Sequence, residues 1–270
     1  MLKIGFIGAG NMGGALAISA ARALGGKEVM ITDHHADKME ALQEKTGCVI
    51  AKDADDIAAN CEYIVLGMKP DGIRKAARGV APILRSDCEK GIRHIIVSIA
   101  AGVSTDAIRE CIGDGIPVLR LMPNTPVAVG EGMILMTAND TDFDELDKLR
   151  DVFSAAGELL YIPESKFDDF SSISGCTPAY AYMFIQSLAD GAVKVGVPRK
   201  LATHLAAQTV LGSARMILET GEHPDKLKDD VCSPGGSTIE GVAALEEGAF
   251  RGTVAQAIVA SAEKSKKLGK

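Results

Sequence analysis

The sequence predicts a two-part α/β chain, with a helix-covered parallel sheet over residues 1–163 and an all-helical domain over residues 164–270. Three observations carry this reading. Short apolar runs alternate with longer amphipathic segments as far as Ile162, the pattern of repeated strand-helix units. After Pro163 the alternation stops and helix-forming residues take over. The 270 residues suffice for about two domains of roughly 150 residues each. With 29 glycines, 4% aromatics and no Trp, the core has to be built from Ala, Val, Ile, Leu and Met at close backbone spacing.

In chain order the predicted strands are Lys3–Ile7, Val29–Thr32, Tyr63–Gly67, His94–Ile99, Val118–Met122, Met133–Thr137 and Leu159–Ile162, most of them followed by Gly, Pro or Asn turn chemistry. Helices are expected between them at Met12–Ala23, Ala36–Lys45, Ile73–Leu84, Thr105–Cys111 and Asp142–Ala155, the last opening on an acidic cluster that suits a helix N-terminus. The second part reads as four helices, Pro178–Val195, Arg199–Glu219, Ser237–Glu247 and Thr253–Lys267. They are punctuated by Gly196-Val197-Pro198, Gly221-Glu222-His223-Pro224 and Ser233-Pro234-Gly235-Gly236. The Lys-rich stretch from Lys264 to Lys270 reads as a solvated helix end.

Composition removes several function classes. The net charge of −7, from 29 basic and 36 acidic residues, is opposite to that of a chain that coats phosphate backbones, so no nucleic-acid partner is expected. The six cysteines, at 48, 61, 88, 111, 176 and 232, lie 13 or more residues apart and show no metal-ligand spacing, so no metal site is expected and they read as reduced thiols of a cytoplasmic protein. The apolar start is too short for a signal peptide. The uncharged stretch Phe170–Ala189 carries Ser, Thr, Pro and Gln, which favours a core helix over a membrane span, and no membrane partner is expected.

The first chemistry-bearing motif is Gly8-Ala9-Gly10-Asn11-Met12-Gly13, a GxGxxG that follows a strand and opens an Ala-rich helix. Glycines there allow a tight turn and close approach of the backbone to a pyrophosphate, whose charge meets free N–H groups at the helix N-terminus. This makes Gly8, Gly10, Asn11, Met12 and Gly13 candidate cofactor-binding residues and the first part a Rossmann-type dinucleotide-binding domain. Asp33 follows at the end of the second strand. Its carboxylate either accepts hydrogen bonds from the adenosine ribose, which favours NAD over NADP, or caps the helix that starts near Ala36. Met68-Lys69-Pro70, Ala100 after Ser98-Ile99, and Asn124 within Met122-Pro123-Asn124-Thr125-Pro126 fall at further strand ends, which border one crevice in an open parallel sheet. Each is either a cofactor contact or ordinary turn chemistry.

In the second part, Ser174-Gly175-Cys176-Thr177-Pro178 and Cys232-Ser233-Pro234-Gly235-Gly236-Ser237-Thr238 each precede a predicted helix. The second pairs hydroxyls with a Gly-Gly turn whose N–H groups can surround a carboxylate; the alternative is N-capping by Ser233 or Ser237. There is no GxSxG, Walker A or HExxH motif, and the five histidines do not cluster.

Together these segments resemble pyrroline-5-carboxylate reductases over essentially the whole chain, and the stretch from Cys232 through Thr238 to Glu240 is the most specific part of the resemblance. The resemblance implies reduction of L-1-pyrroline-5-carboxylate to L-proline, the last step of proline biosynthesis, with NADPH first and NADH as an alternative. It implies that the helical domain is a dimerisation domain, so a homodimer or a ring of dimers. It also implies that Thr238 is the catalytic residue, hydrogen-bonding the ring nitrogen, while the N–H groups of Gly236, Ser237 and Thr238 hold the carboxylate. Ser174, Gly175, Ser233 and Gly235 complete the implied substrate set. The chain departs from the family at Thr32-Asp33-His34-His35, where NADPH-preferring members carry Ser, Asn, Arg or Thr. Two rivals are a β-hydroxyacid dehydrogenase and a non-catalytic nucleotide sensor. The first needs a lysine early in the first helix of the second domain, and residues 175–195 offer only Lys194.

Overall fold

The computed structural model describes residues 2–138 and 143–268. Packing divides the chain into two units, one running to Gly175 and resuming at Ser261, the other comprising Cys176–Ala260. In the first unit the elements are β1 (Leu2–Ile7), α1 (Asn11–Leu24), β2 (Val29–Thr32), α2 (Ala36–Thr46), β3 (Val49–Ile50), α3 (Ala54–Asn60), β4 (Cys61–Leu66), α4 (Pro70–Glu89), β5 (Ile95–Ser98), α5 (Thr105–Ile112), β6 (Val118–Met122), β7 (Gly132–Ala138), α6 (Phe143–Phe153) and β8 (Gly157–Tyr161). The expected start of α6 at Asp142 lies outside the described residues.

The strands form one sheet in the order β3-β2-β1-β4-β5-β6-β7-β8, in which every neighbouring pair is parallel except β6 with β7. The first six follow the doubly wound order, with its reversal between β1 and β4. Alternate residues serve opposite faces: Phe6, Tyr63, Val65 and Val97 pack toward α1 and α6, whereas Ile64, Leu66 and Ile96 pack toward α3, α4 and α5. With helices on both faces the strands read as continuous apolar runs, as the sequence showed.

Three features differ from expectation. β3 is two residues long, too short to produce a periodic signal, and α3 is a seven-residue helix whose start is fixed by Asp53 accepting from the Asp56 N–H. The strand β7 returns antiparallel instead of extending a parallel sheet. The segment between β6 and β7 holds only a short 3-10 turn, Thr125–Val129, and a parallel return needs a crossover of a dozen or more residues.

The remaining helices among the described residues are α7 (Phe167–Lys194), α8 (Arg199–Thr220), α9 (Pro224–Val231), α10 (Ser237–Glu247) and α11 (Phe250–Leu268), five where four were expected. The additional one, α9, starts at the expected punctuation: Pro224 takes its first position and the His223 ring accepts from the Asp225 N–H at 3.2 Å. The larger correction concerns Pro178, which does not open a helix but lies inside α7, so Ser174 and Gly175 are helical and not a helix-preceding loop. Proline has no N–H to donate to the carbonyl four residues earlier, which leaves Ser174 without its helical partner. The side chain of Asn124 supplies the missing donor, with Nδ2 to the Ser174 carbonyl at 2.9 Å, while its Oδ1 accepts from the Met133 N–H at 2.9 Å.

On α6, Glu145 is only 3% exposed yet carries charge. It accepts from the Tyr63 hydroxyl, from Arg93 at 2.7 Å and from Lys148 at 2.8 Å, tying α6 to β4 and to the segment before β5. Burial pushes its carboxyl up, but the hydrogen bonds from Lys148, Tyr63 and Arg93 outweigh it and hold the group at about 2.

Replacing Glu145 by Ala strands the buried Tyr63 hydroxyl and should lower stability by about 1–3 kcal/mol at neutral pH, measured by denaturant melts. Because the folded carboxyl titrates below its ordinary value of 4.5, this stabilisation is complete above about pH 4.5 and is lost as the pH falls through about 2. The variant should therefore show a weaker acid dependence than the parent. Asn124→Ala leaves both the Ser174 carbonyl and the Met133 N–H unpaired, and we expect a loss of about 1–3 kcal/mol in the same melts. An unchanged unfolding midpoint would show that the bracket carries no weight.

Candidate functional site

The crevice begins at the turn between β1 and α1. Gly8 has φ +99°, and a Cβ built at Gly13 would overlap the Gly8 carbonyl oxygen, so both positions require glycine. Gly67, at the end of β4, packs equally closely on the Gly8 carbonyl. This third glycine was part of an expected strand with no role attached; the signal was a glycine directly before Met68-Lys69-Pro70. The N–H of Gly8 donates to the Thr32 carbonyl at 2.8 Å and that of Gly67 to the Ile7 carbonyl at 2.8 Å, so the ends of β1, β2 and β4 are fastened together.

Gly10 differs from its neighbours. It precedes α1, no side chain among the described residues caps the helix there, and a Cβ at this position would meet open space. The first N–H groups of α1, from Asn11 to Gly13, have no intrahelical partner by helix geometry. An open volume in front of free N–H groups is the shape and charge that a pyrophosphate fits. The residues present therefore match a dinucleotide.

The other expected cofactor residues sit along the same edge. Lys69 is exposed and precedes α4, with Pro70 at its first position and Met68 half-buried. The Ile99 N–H donates to the Leu66 carbonyl at 3.3 Å, joining the ends of β4 and β5, and buried Ala100 follows. Asn124 lies past β6, with its amide already bridging Ser174 and Met133. Asp33 ends β2 with its carboxylate bound to the Ala9 N–H at 2.9 Å and to the His35 N–H at 3.1 Å. Burial pushes its carboxyl up, but the His35 ring beside it together with these N–H bonds holds it below the ordinary carboxylate value. It is not the cap of α2, whose N-cap is His35. The sequence thus brings Gly8, Gly10, Gly13, Asp33, Met68, Ala100 and Asn124 to the carboxyl ends of contiguous strands β2, β1, β4, β5 and β6.

Ser174 is buried in α7 with its hydroxyl unpartnered among the described residues, and Gly175 follows it with its open side toward Met122. In the second unit, Ser233, Gly235 and Gly236 form a turn before α10, closed by the Gly236 N–H donating to the Ser233 carbonyl at 3.0 Å. The N-cap is Gly236, and among the described residues no side chain caps the helix, so neither Ser233 nor Ser237 plays that part. Since the Gly236 N–H is spent in the turn, the free donors at this helix start are by helix geometry those of Ser237, Thr238 and Ile239. Thr238 itself is exposed in the first turn. Among the described residues no cluster of His, Cys, Asp or Glu could hold a metal ion.

Comparison with known proteins matches this layout. A family model described as pyrroline-5-carboxylate reductase dimerisation covers residues 164–268, and one described as NADP oxidoreductase, coenzyme F420-dependent, covers residues 3–102. Pyrroline-5-carboxylate reductase of Escherichia coli (strain K12) is 42% identical over 273 residues, spanning 99% of this chain and 98% of the relative. That of Glycine max is 37% identical, spanning 98% and 95%. The crystal structure of Plasmodium falciparum pyrroline carboxylate reductase with NADP bound superposes with a TM-score of 0.87 at 33% identity, covering 100% of this chain and 98% of that one. At 42% identity over 99% of its length, the chain belongs to the pyrroline-5-carboxylate reductase family.

Proposed function

We infer that the chain reduces L-1-pyrroline-5-carboxylate to L-proline by hydride transfer from NAD(P)H, the last step of proline biosynthesis, with NADPH as first donor and NADH as second. The observation that carries this reading is full-length identity to the family together with an uncapped helix start at Gly236 whose free N–H groups suit a carboxylate. The bound nicotinamide supplies the hydride. The chain's own part is positioning. In this reading Gly8, Gly10, Asn11, Met12 and Gly13 take the pyrophosphate, and Lys69 and Ala100 border the rest of the cofactor. The N–H groups of Ser237 and Thr238 take the ring carboxylate, supported by the turn of Ser233 and Gly235, and the Thr238 hydroxyl hydrogen-bonds the ring nitrogen. No ionisable side chain belongs to this substrate set, so the proton on nitrogen comes with the iminium form or from water. Orienting the two reactants accounts for several kcal/mol of the barrier, on the order found for intramolecular reactions.

The decisive assay is consumption of NADPH in the presence of pyrroline-5-carboxylate. Thr238→Ala should lower kcat at least tenfold, since one hydrogen bond to the reacting ring is worth roughly 1–3 kcal/mol, while cofactor affinity and thermal stability stay near those of the parent. Unchanged kcat/KM would remove Thr238 from the mechanism, and no turnover by the parent would remove the function.

The reading extends to assembly and compartment. In the second unit the buried apolar side chains among the described residues are Ala189, Ala202 and Ala206, whereas Leu201, Leu205, Leu211, Met216 and Leu218 are exposed. Helices with this much apolar surface are covered by a partner of the same kind, giving a homodimer or a ring of dimers. All six cysteines are free thiols and no described helix is long and apolar enough to cross a membrane, which supports a cytoplasmic setting. Light scattering at micromolar concentration should give at least twice the mass of one chain; a fully active monomer would contradict it.

A further inference from the structure

Asp33 occupies the position where a carboxylate ordinarily reads the adenosine ribose, yet its oxygens are turned elsewhere. Oδ2 accepts from the Ala9 N–H at 2.9 Å, and Oδ1 accepts from the His35 N–H at 3.1 Å and lies 2.9 Å from His35 Nδ1. The side chain is 11% exposed. Three of the roughly four lone-pair directions of a carboxylate are thus used within the protein. Ala9 is buried in the middle of the glycine turn, between Gly8, which needs a positive φ, and Gly10, which faces open space.

We propose that Asp33 is a positioning residue for the phosphate-binding turn, holding the Ala9 peptide so that the free N–H groups at the start of α1 face the pyrophosphate. Its carboxylate does not read the adenosine 2′ position. The proposal rests on the reading that this chain binds a nicotinamide dinucleotide. It accounts for an aspartate at the end of β2 in a family one of whose solved members holds NADP. The pyrophosphate is common to NADPH and NADH, so a loosened turn weakens both alike, whereas a ribose reader affects them in opposite directions.

The test uses the full chain without substrate. Dissociation constants for NADPH and NADH are measured by calorimetry on the parent, Asp33→Ala and Asp33→Asn, with hydrogen exchange of the segment containing Ala9 followed in the cofactor-free proteins. Asp33→Ala should weaken both cofactors about tenfold, a loss expected for one hydrogen bond to a charged group, with the NADPH to NADH ratio changed less than about threefold. Exchange at Ala9 should accelerate while the rest of the sheet stays protected. Asp33→Asn keeps an oxygen acceptor for the Ala9 N–H and should recover most of the affinity, a rescue that general destabilisation would not produce; if Asp33→Ala fails to fold, the NADPH to NADH ratio of Asp33→Asn carries the test, since removing the charge of a ribose reader would shift it toward NADPH and removing that of a positioning residue would not. Weakened NADH binding with NADPH binding unchanged or improved in either variant would overturn the proposal, as would unchanged affinity for both cofactors in Asp33→Ala. A parent chain that binds neither dinucleotide would overturn the functional reading as well, whereas parent binding with a shifted ratio would overturn the positioning role alone.

Discussion

The packing of the Gly8 carbonyl against Gly13 and Gly67 is the contact on which the rest of the first unit depends. It lets the turn after β1 lie flat on the end of β4, the point where the strand order reverses and an open sheet forms its crevice. Any side chain at Gly13 or Gly67 would lift α1 away from that edge and disperse the N–H groups at its start. The Gly8 and Gly67 N–H bonds to Thr32 and Ile7 complete the backbone clamp across the ends of β1, β2 and β4. Backbone donors fixed in this way lose no rotamer freedom when an anion arrives, which is the physical advantage of a glycine turn over a cluster of lysines.

A second constraint is the need to satisfy backbone groups where helices and strands are interrupted. Pro178 frees the Ser174 carbonyl inside α7, and Met133 presents an N–H near the start of β7; one asparagine, on the loop after β6, answers both. Asn124 therefore fixes the path of α7 where Ser174 and Gly175 lie. The same economy operates at the opposite end of the strands, where buried Glu145 collects Tyr63, Arg93 and Lys148. A buried carboxylate is costly alone, and here three donors offset its desolvation.

The sheet and the glycine turn were legible in the sequence because their causes are local. Apolar alternation, a GxGxxG in frame with a strand and a helix, and Gly, Pro or Asn after most strands all act within a few residues. The failures have non-local causes. The bond between Asp33 and the Ala9 N–H spans 24 positions across the β1–β2 crossover, and nothing local in the sequence announces it. The bridge from Asn124 to Ser174 spans 50 positions, and nothing in the Asn124 motif announces it. Pro178 looked like a helix start because propensity assigns proline to first turns, and only a distant side chain makes it tolerable inside α7. The Gly-Gly turn before α10 was legible as an anion cradle, but not the loss of its Gly236 donor to the Ser233 carbonyl, which depends on how tightly the turn closes.

The two helix starts, at α1 and α10, set out the same device in separate units: a glycine N-cap without a side-chain cap, leaving first-turn N–H groups free. Ordinary helices spend those donors on Ser, Thr, Asp or Asn, and a cap of that kind contributes about 1 kcal/mol. Side-chain caps are also lacking at α2, α4 and α8, and what α1 and α10 share is a glycine at the N-cap, which has no side chain to occupy the donors that anions would meet. In the proposed reaction those anions are the cofactor pyrophosphate and the ring carboxylate, and neither cradle contains an ionisable side chain of its own. Charge complementarity is then supplied by peptide dipoles that do not titrate, which leaves the protonation state of the imine as the group whose pH dependence the reaction must follow.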